Sequence, residues 1–187
     1  MQCSIDKNSL RKAMKQKRSG QACHDITAKS LAVCLSFEEM AEFQNAKWVC
    51  VYMNAFGEVD TSHIIDACRR MEKDVAVPVV EGEDIYLCRL SGRTHKGAFG
   101  IQEPEKKEII PVSLIDVFAV PGLAFDSNGA RVGFGKGYYD KLLAQTNSPK
   151  VGLLYEFQLV EQIPYDSHDI FMDYLITERQ VIHCAHI

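Results

Sequence analysis

Four glycines in nine residues, Gly129, Gly133, Gly135 and Gly137, set the tightest limit on what this chain can fold into. They lie in the stretch 120–143, VPGLAFDSNGARVGFGKGYYDKLL, with Arg131 and Lys136 between them and Tyr138, Tyr139 and Asp140 directly after. The apolar run 116–120 ahead of them predicts a short buried strand, and 138–145 (YYDKLLAQ) predicts a helix. Strand, glycine loop and helix start form an order suited to phosphate. Glycines let successive N–H groups point into one concavity, and the first turn of a helix adds free donors and partial positive charge. It is not a P-loop, because Gly137 stands where a Ser or Thr would hold magnesium and Ala130 replaces the first glycine. Glycine-rich loops also occur as plain wide turns. The flanking cations and tyrosines are what favour an anion site.

The rest of the chain suits one compact α/β domain over residues 1–187, with 47% hydrophobic residues to supply a core. A formal net charge of -4 disfavours general nucleic-acid binding and requires any polyanion to be met by a local cationic patch. Seven cysteines (Cys3, Cys23, Cys34, Cys50, Cys68, Cys88 and Cys184) show neither zinc-site nor disulfide-framework spacing, which predicts a reducing cytoplasm. Cys34, Cys50, Cys68 and Cys88 sit among apolar neighbours and read as small core residues more than as nucleophiles. No apolar run approaches the roughly 18 residues of a membrane span, and the N-terminal stretch lacks a leader's apolar segment, so a soluble protein without a membrane partner is expected.

Ser4 or Asp6 can cap a first helix, along which Lys7, Arg11, Lys15 and Arg18 recur on one face beside apolar Leu10, Ala13 and Met14. On spacing alone that stripe reads as a solvated face. A second helix is predicted over 21–35, and Ser36 with Glu39 has the pattern of a capping box opening a short helix to Phe43. His24 and Asp25 are adjacent and point apart on a helix, a poor catalytic pair. The run 48–53 (WVCVYM) predicts a strand buried on both faces. Glu58 follows it in a loop, where open α/β sheets gather ligands, although a surface turn acid fits equally well. Further elements are expected as a helix over 62–73 and strands over 75–80, 85–90, 150–155 and 173–177. Asp166, His168, Asp169 and Asp173 have the composition of turn and cap residues.

Taken whole, the stretch 120–143 resembles the signature of the 5-formyltetrahydrofolate cyclo-ligase family, also called methenyltetrahydrofolate synthetases. Pro121, Gly122, Phe125, Asp126, Arg131, Gly133, Gly135, Gly137, Tyr138, Tyr139 and Asp140 carry the match, with Phe134 where some members have arginine. The pair Lys7 and Arg11, the run Glu58, Val59, Asp60, Thr61, the segment Ile101, Glu103, Pro104, and His168, Asp169, Asp173, Thr177, Glu178 resemble further family patterns. The resemblance implies a mostly parallel sheet flanked by helices, of the glucosamine-phosphate deaminase, ribose-phosphate isomerase and CoA transferase-like architecture. It also implies ATP-dependent cyclisation of 5-formyltetrahydrofolate to 5,10-methenyltetrahydrofolate. By the same likeness, Lys7, Arg11, Arg131, Val132, Gly133, Phe134, Gly135, Lys136, Gly137, Tyr138 and Tyr139 contact ATP, with Lys136, Arg131 and Tyr138 catalytic. Met53, Glu58 and Phe99 join Phe134, Gly135, Lys136, Gly137 and Tyr138 around the folate, and Asp140 and Asp169 hold magnesium. Lys15 and Arg18 are left as surface or accessory charges. A cytoplasmic monomer acting on the folate and MgATP is the expectation.

Overall fold

The computed structural model describes residues 6–20, 23–97 and 100–185, apart from the side chains of residues 23–25. Helices α1 (Lys7–Ser19), α2 (Cys23–Glu39) and α3 (Ala41–Asn45) lead to strand β1 (Trp48–Cys50) and helix α4 (Ser62–Arg70). Strands β2 (Asp74–Glu81), β3 (Asp84–Arg89), β4 (Thr94–Lys96), β5 (Gln102–Pro104), β6 (Ile109–Ile110), β7 (Val117–Val120), β8 (Ala124–Asp126) and β9 (Arg131–Val132) follow. Helix α5 (Tyr138–Leu143) precedes β10 (Lys150–Leu153), β11 (Leu159–Val160), β12 (Tyr174–Ile176) and β13 (Val181–His183).

The main sheet has eight strands in the order β13-β12-β10-β7-β1-β2-β3-β6. Its centre is parallel, from β12 through β10, β7 and β1 to β2. The outer strands β13, β3 and β6 run antiparallel, so the sheet is mixed where the sequence suggested a largely parallel one. The reason at β3 is local. Glu81 pairs with Asp84 across a two-residue turn whose first residue, Gly82, has φ 64, and so short a link permits only a hairpin.

Period-two alternation divides the core. Val49, Val51, Val117 and Ala119 face one layer with Val33, Phe37, Ile64 and Cys68 of α2 and α4. Cys50, Phe118 and Val120 face the other, with Leu142 and Leu143 of α5. Cys34, Cys50, Cys68 and Cys88 are all buried, as expected of small core residues. The capping box at Ser36 is not used. Val33, Cys34 and Phe37 continue one buried face, so α2 runs unbroken to Glu39 and the short helix begins only at Ala41.

A small sheet in the order β11-β8-β9 carries α1, whose Leu10 and Met14 pack on Leu123, Ala124, Ala130, Val132 and Ile163. The β8–β9 hairpin turns at Asn128 and Gly129, where the Asp126 carboxylate accepts from the N–H groups of Asn128 and Ala130 at 3.0 and 3.1 Å. Gly129 has φ 91, and a Cβ there would stand 2.3 Å from the Met172 carbonyl oxygen. Its own carbonyl accepts from Met172 N–H at 2.8 Å, which pins the segment after residue 169 to the hairpin.

Gly129→Ala is therefore expected to destabilise the fold by about 3 kcal/mol, combining left-handed strain with a backbone collision. Urea unfolding would show it as a lower midpoint at unchanged slope.

Candidate functional site

The loops after β1 and β9, the helix α1 and the segment 166–169 enclose a cleft of about 1280 Å³. Its charged wall comprises Lys7, Arg11, Lys15, Lys136, Asp140 and Asp169, while Met53, Pro78, Val80, Ile85 and Ile101 supply apolar surface. Glu58 lines the same space, as do Gly133, Phe134, Gly135, Gly137, Tyr138 and Tyr139. Val132 lies behind: its side chain is in the small-sheet core and its carbonyl accepts from Leu123 N–H at 2.7 Å. Phe99 falls outside the described residues.

Local chemistry explains how each group arrives. Asp6 caps α1, accepting from Asn8 and Ser9 N–H at 2.7 and 3.0 Å, and the helix lays its cations along the glycine loop. Arg11 Nε donates to the Gly133 carbonyl at 3.0 Å, and Gly135 lies close enough that a Cβ would sit 3.4 Å from the Arg11 guanidinium carbon. Gly135 and Gly137 have φ 97 and 69, which lets the loop turn over before α5 begins. Lys136 is exposed at its crest and makes no ion pair among the described residues.

Arg131 is buried on β9, its Nη1 donating to the Pro121 carbonyl at 3.3 Å and its Nη2 to Asp140 Oδ1 at 2.9 Å. Its guanidinium also lies 5.5 Å from the Tyr139 ring centre, and its Nε has no partner among the described residues. Tyr138 donates its hydroxyl to the Gly82 carbonyl at 2.9 Å, tying α5 to the β2–β3 turn. Phe134 and Phe56 form an exposed tilted pair with ring centres 5.7 Å apart, and Lys15 Nζ stands 5.5 Å from the Phe134 ring centre.

Lys7 Nζ lies 2.5 Å from Asp169 Oδ2 and 3.0 Å from Asp166 Oδ2. Partial burial opposes both charges. The mutual hydrogen bonds outweigh it, holding the lysine above and the Asp169 carboxyl below their ordinary values. Asp166, His168 and Asp169 bring one ligand atom each within 4.8 Å of one another. The two carboxylates are hard oxygen donors of the kind magnesium takes one or two at a time beside substrate phosphates, so the donor set fits that ion. Asp140 stands outside this cluster, one oxygen held by Arg131 and the other without a partner among the described residues.

Glu58 is buried, at 9% exposure. Its loop is fixed from below: Tyr155 donates to the Glu58 carbonyl at 3.1 Å, Tyr52 to the Val59 carbonyl at 3.1 Å, and Thr61 to the Tyr52 carbonyl at 2.7 Å. Desolvation pushes the Glu58 carboxyl up to about 7, opposed by the Ala55 N–H and by Arg18. Arg18 is no surface charge. Its exposure is 6%, and its Nη2 donates to the Gly122 carbonyl at 2.5 Å. Arg18, expected as a surface or accessory charge, lines the cleft with Phe56, and Tyr155 supports it from beneath; sequence reasoning did not single out the last two.

Comparison with known proteins bears on the fold and on the family. The model of the 5-formyltetrahydrofolate cyclo-ligase family matches residues 4–178. The 5-formyltetrahydrofolate cyclo-ligase of Escherichia coli (strain K12) is 32% identical over 146 residues, covering 73% of this chain and 80% of that one. The NMR structure of Aquifex aeolicus 5,10-methenyltetrahydrofolate synthetase superposes with a TM-score of 0.86 at 39% identity, over 95% of this chain and 92% of the other. A 5,10-methenyltetrahydrofolate synthetase from Mycoplasma pneumoniae shares the fold, with a TM-score of 0.79 at 23% identity over 93% and 99% of the two chains.

The raised Glu58 carboxyl has a consequence for stability. Its folded value of about 7 exceeds the ordinary 4.5, so between these the folded state binds the extra proton and stability falls as pH rises. Above pH 7 the ionised carboxylate costs on the order of 3 kcal/mol. Glu58→Gln is expected to melt higher than the parent at pH 8, with the difference vanishing as pH falls towards 5. Calorimetry of both unliganded proteins across that range measures it.

Proposed function

The chain belongs to the 5-formyltetrahydrofolate cyclo-ligase family, and on that premise we propose how its cleft performs the ATP-dependent conversion of 5-formyltetrahydrofolate to 5,10-methenyltetrahydrofolate. The observation that carries the proposal is the meeting, in one cleft, of a cation-flanked glycine loop with a buried carboxylate set among apolar side chains.

The chemical difficulty is that a formyl oxygen is a poor leaving group. In the proposed sequence that oxygen attacks the γ-phosphorus, and the bond to ADP breaks. N10 then attacks the activated carbon, the carbon–oxygen bond breaks, and phosphate departs as N10 loses its proton. Such a reaction asks for charge neutralisation and alignment more than for a protein nucleophile. Lys7, Arg11 and Arg131 would hold the ATP phosphates, loop N–H groups from Gly133 to Gly137 would donate to them, and Lys136 would follow the transferred phosphoryl group. Phosphate would draw the Lys7 ammonium away from Asp169, and Asp169 and Asp140 would be the carboxylates that hold magnesium. Magnesium so held would offset phosphate charge.

The folate would take the apolar part of the cleft, with Met53 against the pterin and Phe134 nearer the mouth. A pterin edge presents adjacent N–H donors, and a carboxylate can accept two at once. Glu58 supplies that acceptor. Tyr138 would border both ligands. Alignment to the glucosamine-phosphate deaminase, ribose-phosphate isomerase and CoA transferase-like architecture, favoured by the parallel sheet centre, completes the reading together with a cytoplasmic location and a monomeric state.

Lys136→Ala is expected to lower turnover about a hundredfold with an unchanged melting temperature, since an aimed charge on a developing anion is worth a few kcal/mol. Turnover within twofold of the parent would remove Lys136 from the mechanism. Glu58→Gln places a donor against a donor and is expected to weaken 5-formyltetrahydrofolate by about 1 to 3 kcal/mol while ATP affinity stays the same. Separate calorimetric titrations decide it, and an unaltered folate affinity would overturn the assignment.

A further inference from the structure

Arg18 has no part in the phosphate chemistry above, yet it is the most deeply buried cation of α1. Its stem crosses beneath Gly57, where a Cβ would lie 2.9 Å from Arg18 Cγ, so the residue before Glu58 must stay small for the arginine to pass. Only Nη2 is engaged, by the Gly122 carbonyl, while Nε and Nη1 are buried without a partner among the described residues. Idle buried donors on a charged group are costly. Something else must repay the position.

The groups that act on Glu58 come from four directions: Arg18 from α1, Tyr52 after β1, Tyr139 from α5, and Tyr155 after β10, with the Ala55 N–H donating to Oε2 at 3.1 Å. Among these, Arg18 is the one cation. Burial favours the neutral acid through desolvation, and that form has one acceptor fewer and a proton facing the pterin donors.

We propose that Arg18 is a positioning residue for pterin recognition, its fixed charge balancing the Glu58 carboxylate so that both oxygens accept from the substrate. The inference rests on the assignment of Glu58 to the folate. Arginine suits the task because a guanidinium keeps its charge when buried, whereas a lysine readily loses its own. Burial does pull the Arg18 value down, with Glu58, Tyr52 and Tyr155 opposing.

Arg18→Gln keeps a donor for the Gly122 carbonyl and removes the charge. It is expected to raise KM for 5-formyltetrahydrofolate about tenfold at pH 7, with kcat and KM for ATP within about twofold of the parent. Parent folate affinity should fall as pH drops through about 7; in the variant that fall should begin at higher pH, narrowing the deficit at pH 9. In a Glu58→Gln background, which has no charge to balance, Arg18→Gln should add less than twofold. An unmoved pH profile, or the same tenfold loss in the Glu58→Gln background, would overturn the proposal and leave Arg18 a packing residue. Arg18→Lys guards against a variant that fails to fold: because a buried lysine gives up its proton more readily, its profile should lie between those of the parent and Arg18→Gln, and a raised KM at the parent pH profile opposes the charge role. Should Glu58→Gln alone leave folate affinity intact, the folate assignment itself fails, a result distinct from either.

Discussion

Two hydrogen bonds from arginines of α1 to carbonyls, Arg11 to Gly133 and Arg18 to Gly122, hold the site together. The helix lies on the small sheet, away from the layers that flank the eight strands, so its register against the glycine loop comes from these contacts and from Leu10 and Met14. Because charged donors bind carbonyls more strongly than neutral ones, each bond both orients a guanidinium and fixes a stretch of loop backbone. The same helix thereby presents cations to the glycine loop and closes the space beneath Glu58. Without it, the carboxyl ends of β1, β7 and β10 would still converge, but on an open surface.

On the role proposed for Glu58, function opposes stability in the cleft. An ionised glutamate buried among tyrosines is unfavourable for the empty protein and useful only when a ligand supplies matching donors. Ser30 Oγ, 2.8 Å from the Tyr155 hydroxyl and accepting from Asp60 N–H at 3.0 Å, belongs to the network that keeps the loop from relaxing outward. Rigid backbone around a costly side chain is how a site stays prepared for its substrate.

Much of this was legible in the chain. The buried strands announced themselves through continuous apolar runs rich in β-formers, and the glycine loop through spacing and flanking cations. What remained hidden had physical causes. Ser36 and Glu39 satisfied a local capping rule that burial of Phe37 overrode. The Asn128-Gly129 pair is a strong hairpin signal, but inside a segment read as a phosphate loop it was not taken as one. Arg18 shares a helical face with Lys7, Arg11 and Lys15, and periodicity cannot tell which cation of a stripe will be covered by Gly57 and the 121–123 backbone. Phe56, at φ 52 and exposed, carries no sequence signal beyond being an aromatic in a loop.

The central claim is that a single cleft couples phosphoryl transfer from ATP to ring closure on a folate. It is tested most directly by following phosphate release from MgATP while recording the absorbance of 5,10-methenyltetrahydrofolate in the same cuvette. The account predicts negligible phosphate release without 5-formyltetrahydrofolate and, on its addition, phosphate and methenyl product appearing in equal amounts at equal rates. Phosphate release at the same rate with or without the folate, or methenyl product formed without ATP, would contradict it.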